Sequence, residues 1–122
     1  MAIPSGSGTE VLKRAYIANL AETEQYILTG VQNHIYTILS ITIKDQTGAS
    51  DAMIDMWIDF DAGGTDLMIL VNQLIPFQQT FIWNDKLVLT GTDKLGFIGK
   101  SASDTADFDI WCSYIDQDWT TP

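Results

Sequence analysis

The chain has 122 residues, enough for one domain that buries a core without disulfide or metal staples. Apolar residues make up 46% of it, which argues against disorder over most of its length, and 16 acidic residues against 6 basic ones argue against nucleic acid as a partner. No apolar stretch approaches the ~20 residues of a membrane-spanning helix, so no membrane partner is expected, and a single cysteine, Cys112, cannot close an internal disulfide.

Residues Met1 to Gly8, with Pro4 and alternating Ser and Gly, carry too little apolar surface to hold a conformation alone. Thr9 to Ala21 suits a short helix through Val11, Leu12, Ala15, Tyr16, Ala18 and Leu20, or an extended segment over Lys13 to Ala18. Residues 1–21 are therefore expected to form an N-terminal arm and residues 22–122 a β-domain. On a neighbouring subunit the arm would bury Ile3, Pro4, Val11 and Leu12 and offer Lys13 and Arg14 to acidic surface.

Gln25 to Thr29 is the first strand of that domain, ended by Gly30. Ile35 to Phe60 is the organising stretch, two long strands that the polar segment Asp45 to Asp51 would join into a hairpin. Ile35, Thr37, Leu39, Ile41 and Ile43 alternate as the core face of the first strand. Ile54, Met56, Ile58 and Phe60 do so in the second, with Asp55, Trp57 and Asp59 facing out. Asp61 to Asp66 makes a Gly-rich hairpin loop, after which Leu67, Ile69 and Val71 resume the alternation until Pro76 marks an edge. Thr80 to Trp83 and Lys86 to Leu89 flank Asn84-Asp85, a pair suited to a tight hairpin. Leu95 to Ile98 follows, and Ala106 to Ile115 is the last strand, with Phe108, Ile110, Cys112 and Tyr114 opposite Asp107, Asp109, Trp111 and Ser113. About eight short antiparallel strands separated by turn signals predict an all-β sandwich or jelly roll.

No motif brings catalytic chemistry with it. The Asp59 to Gly64 stretch lacks the fifth and twelfth ligands of an EF-hand loop, leaving only a looser calcium site over Asp59, Asp61 and Asp66. His34 has no second His and no neighbouring Cys, which is too few ligands for zinc. The pairs Asp55/Asp59 and Asp107/Asp109 imitate a glycosidase dyad but also suit solvated strand faces. Cys112 stands in an apolar run, where a thiol is buried and inert. No enzymatic activity, no metal and no cofactor is expected. Trp57 and Trp111 sit at outward positions between polar residues, which suggests contact with another subunit. Cover by the arm, or a sugar-stacking platform shared with Trp83, is the alternative.

The opening Ala2 to Arg14 and the strand Ile35 to Ile43, together with Leu74-Ile75-Pro76, Leu87 to Leu89, Gly91 to Leu95 and Ser113 to Ile115, are similar to small virion structural proteins of tailed bacteriophages. That resemblance implies a compact β-sandwich on the outer surface of the capsid, made in the host cytoplasm, serving as a decoration or cement protein. Its partner would be the major capsid protein, bridged between neighbouring subunits, with a homo-oligomer, trimer or dimer, as the assembly unit. Related sandwiches in tail or collar parts, and a carbohydrate-binding module, are the alternatives.

Overall fold

The computed structural model describes residues 9–46, 51–61, 63–100 and 106–119. They form nine strands: β1 (Thr9–Leu20), β2 (Gln25–Thr29), β3 (His34–Asp45), β4 (Ala52–Phe60), β5 (Thr65–Ile75), β6 (Thr80–Trp83), β7 (Leu87–Thr90), β8 (Lys94–Lys100) and β9 (Phe108–Asp118). A five-stranded antiparallel sheet runs β1-β9-β3-β6, with β7 also on β3, and a four-stranded sheet runs β2-β8-β4-β5. β6 and β7 pair with successive halves of β3, residues Ile41 to Lys44 and Ile35 to Ile38, and so act as one interrupted strand. Counted that way, eight strands wind between two sheets as a jelly roll, the expected fold class.

Two expected hairpins do not form. β3 and β4 lie in different sheets, so the chain crosses the sandwich between them. Thr80 to Trp83 and the strand after it run end to end along β3 instead of folding on each other. The expected β4–β5 hairpin does form, with Phe60 opposite Thr65. Of the expected arm, the described part is β1, which pairs with β9 from Thr9 opposite Asp118 to Leu20 opposite Phe108. Its twelve residues are a strand of the sheet, as the extended reading of Lys13 to Ala18 expects and the helical one does not.

The core face of β3 differs from strict alternation. Ile38 faces Tyr114 and the next paired residue, Ser40, faces Ser113, leaving Leu39 as a bulge. A bulge moves every later side chain to the other face. Tyr36 and Ile38 therefore point inward before it and Ile41 and Ile43 after it, while Thr37 and Leu39 stay half-buried. Ile54, Met56, Leu89, Leu95, Phe97, Phe108, Ile110 and Cys112 belong to the same core. Each large side chain so buried contributes about 1.5–3 kcal/mol, which is how a chain with one cysteine holds together. Burial pushes the Cys112 thiol up to about 12, out of reach of the thiolate chemistry a nucleophile needs.

Candidate interaction surface

Alternation along β1 splits the candidate residues between two faces. Val11 and Lys13 share the inward side with Ala15 and Ile17, and Leu12, Arg14 and Tyr16 share the outward side. Register then lines the outward residues into rows across the five-stranded sheet. Leu12 stands opposite Ile115, which stands opposite Thr37, which stands opposite Val88. Tyr16, Trp111, Thr42 and Ile82 form the second row in the same way. Leu12 is 71% exposed, Tyr16 70% and Trp111 43%, and Ile82 and Val88 are exposed as well.

Trp111 is the centre of this face. Its ring lies 5.3 Å from the Arg14 guanidinium carbon, a cation–π contact, and its Nε1 donates to Ser113 Oγ at 3.3 Å. Shallow depressions flank it, one lined by Tyr16, Thr42 and Lys44, the other by Leu12, Leu39 and Ser40. Arg14 and Lys44 belong to this face, and Lys86 reaches it through the Leu39 carbonyl. Asp109 stands opposite Lys44 and lines the same depression, so the face carries both signs of charge on a chain of net charge −10.

Trp57 is elsewhere and is not exposed. It lies on the four-stranded sheet at 4% exposure, contrary to the expected outward contact. Gly96 stands beside it on β8, and a Cβ there would come within 2.7 Å of the indole ring carbons Cε2 and Cζ2. The missing side chain is the slot the indole fills, and Tyr26 closes it edge-on at 6.2 Å between ring centroids. Ile3 and Pro4 lie outside the described residues.

Lys13 is engaged in a polar cluster at one end of the sandwich. Its Nζ lies 2.8 Å from Asp116 Oδ2, and His34 Nδ1 lies 2.8 Å from Asp116 Oδ1. Burial pulls the Asp116 carboxyl upward, but hydrogen bonds from Lys13 and His34 outweigh it and hold it below the usual carboxylate range. One carboxylate thereby ties β1 and β3 to β9. Position alone made His34 look like an isolated residue, because the pairing that meets it is 82 residues away in sequence.

The acidic pairs serve the backbone. Asp55 accepts from Asn72 N at 2.7 Å and pairs with Lys100 at 2.8 Å, and Asp59 accepts from Gly64 N at 3.0 Å. Asp109 accepts from Asn19 N at 3.0 Å and from the Gln46 side chain. Asp55, Asp59 and Asp109 thus hold turns and bulges, while burial first and then the charges of Asp109 and Asp45 push the Asp107 carboxyl up. Among the described residues, no three His, Cys, Asp or Glu side chains are placed to share a metal ion.

Comparison with known proteins gives no match to a family model and none to a curated protein. Among solved structures, a chain from Bacillus endospore appendages, described as disulfide-linked pili, is similar over 97% of this chain and 96% of its own, with a TM-score of 0.53 and 18% identity. A chain of the T13 IBDV viral particle is similar over 97% of this chain with a TM-score of 0.54 and 8% identity. The match spans 35% of that chain's length. At these identities the likeness is one of fold.

Proposed function

We propose that this chain is a non-enzymatic structural protein of a virion, a capsid decoration protein that bridges neighbouring major capsid subunits through the outer face of its five-stranded sheet. The observation that carries the reading is the double apolar row centred on Tyr16 and Trp111, set with Arg14 and Lys44 on an otherwise acidic chain. Exposed aromatic and Arg side chains grouped on one face are the composition of an interface anchor. The fold likeness to a viral particle chain and to a pilus chain supports an assembly role. Disulfide linkage of the kind named for the pili is closed to Cys112, which is fully buried, so the association proposed is non-covalent.

Bridging adds buried area where shell subunits would otherwise separate, which is how such a protein strengthens a capsid. Ile3 and Pro4, which precede β1 in the sequence, would extend the contact onto the next subunit. Co-sedimentation with bare shells tests the reading. The wild type is expected to sediment with them, and Tyr16→Ala with Trp111→Ala to stay in solution while keeping its melting temperature. Equal sedimentation of the two proteins would refute it. Shifted tryptophan fluorescence on glycan titration, without shell binding, would make Trp111 a sugar platform instead.

A further inference from the structure

Lys100, Asn72 and Asp55 meet on the outer side of the four-stranded sheet, each from a different strand. Lys100 Nζ lies 2.8 Å from Asp55 Oδ2 and donates to Asn72 Oδ1 at 2.9 Å, and the Asn72 backbone N–H donates to Asp55 Oδ1 at 2.7 Å. Regular pairing does not bring them together. Gln73 stands opposite Ile54 and Leu70 opposite Met56, so Val71 and Asn72 share the place across from Asp55 and form a bulge. Asn72 sits there with a φ of 51°, and its carboxamide reaches past β4 to a residue of β8.

We propose that Lys100 and Asn72 close an intramolecular isopeptide bond, with Asp55 as the proton relay. Proton transfer within the ion pair gives a free amine and a carboxylic acid. The Nζ lone pair adds to Asn72 Cγ, the carbonyl electrons move onto Oδ1, and Asp55 gives its proton to Nδ2 and takes one back from Nζ. Collapse of the intermediate expels Nδ2 as ammonia, which carries the Asp55 proton away as ammonium. One alkylammonium and one carboxamide thus become one amide and one ammonium, and neither an oxidant nor a second substrate enters.

An amide is a weak electrophile, but groups held in contact and aligned react as if present at about 10⁵ M or more. One turnover in the life of the molecule suffices, because the departing ammonium is lost to solvent. The Asp55 side chain is 10% exposed and holds both partners, while Lys100, at 42%, leaves ammonium a path to water. The bond joins β8 to β5 across β4 and gives this sheet the covalent tie that the one buried cysteine cannot. It does not depend on the virion reading, because intact mass reports on the bond and shell binding reports on the five-stranded face.

Intact mass spectrometry of the full chain, after prolonged incubation at physiological temperature, tests the proposal with Lys100→Arg and Asp55→Asn beside the wild type. The wild type is expected about 17 Da below the mass of its residues, the loss of one ammonia. Tryptic mapping is expected to show no cut after Lys100 and a branched peptide that joins the Asn72 segment to the Lys100 segment. Lys100→Arg keeps the charge beside Asp55 but replaces the amine, and Asp55→Asn keeps the shape but not the relay, so both are expected at full mass. A wild type at full mass would overturn the proposal. So would the same loss persisting in Lys100→Arg, which would mark a succinimide at Asn72 instead, and a bond formed equally in Asp55→Asn would overturn the role of Asp55.

Discussion

Gly96→Ala tests the packing of the four-stranded sheet most sharply. The added methyl would sit 2.7 Å from two carbons of the Trp57 indole and 2.9 Å from Tyr26 Cε1. Carbon atoms in contact prefer about 3.5–4.0 Å, so the indole must retreat by close to 1 Å. It has little room, because β8 is held between β2 and β4 by backbone hydrogen bonds and Trp57 is buried. Overpacking of this kind costs about 1–3 kcal/mol. In a domain of this size that lowers Tm by about 3–12 °C. The assay is thermal unfolding followed by circular dichroism, with Trp57→Leu and the double variant completing a cycle. Trp57→Leu costs stability alone, but the smaller side chain accommodates the alanine, so the double variant should fall short of the summed losses. A Gly96→Ala protein with unchanged Tm, or additive losses in the cycle, would refute the account of how Trp57 is covered.

Asp116→Asn removes the charge that Lys13 and His34 share and should cost about 1–3 kcal/mol at pH 7 in urea unfolding. Its pH dependence has a definite sign. The folded-state pKa of Asp116 is depressed, so its stabilisation is present above the ordinary carboxylate value and is lost as pH falls through the folded value. Wild type should therefore lose more stability than Asp116→Asn between pH 5 and acid; equal losses would count against this account. Deleting residues 1–8 should leave Tm unchanged, whereas deleting residues 1–14 should lower it, because the longer cut strips half of β1 from β9 and removes Lys13. Identical melting of the two truncations would contradict that role for β1. Cys112 should resist a thiol reagent in the native protein and react on unfolding, and rapid native labelling would show the core to be open.

Much of the fold was legible because strand periodicity is local. Ile54, Met56 and Ile58, and Phe108, Ile110 and Cys112, alternate as the sequence suggests and are buried as expected. Partnering was harder to read. Nothing in Ile35 to Phe60 distinguishes a hairpin from a crossing between sheets, since both need two alternating strands and a polar connection. Leu39 carries no mark of a bulge, so the phase of the first half of β3 was misplaced by one residue. Trp57 looked outward, and it does point to the outer side. Its burial depends on Gly96 and Tyr26, which reach it through pairing with β8 and cannot be inferred from its own neighbours. Leu12, Arg14 and Trp111 were legible as side chains at outward positions, but the rows that include Tyr16, Ile82 and Val88 exist only once β1, β9, β3, β6 and β7 are in register.

Hydroxyl-radical footprinting of the protein, free and on bare capsid shells, tests the contact face directly. Tyr16 and Trp111 should be modified in the free protein and protected on the shell, with Trp57 unreactive in both states. Equal modification of Tyr16 and Trp111 in the two states would contradict the assignment of the five-stranded sheet as the surface that meets the shell.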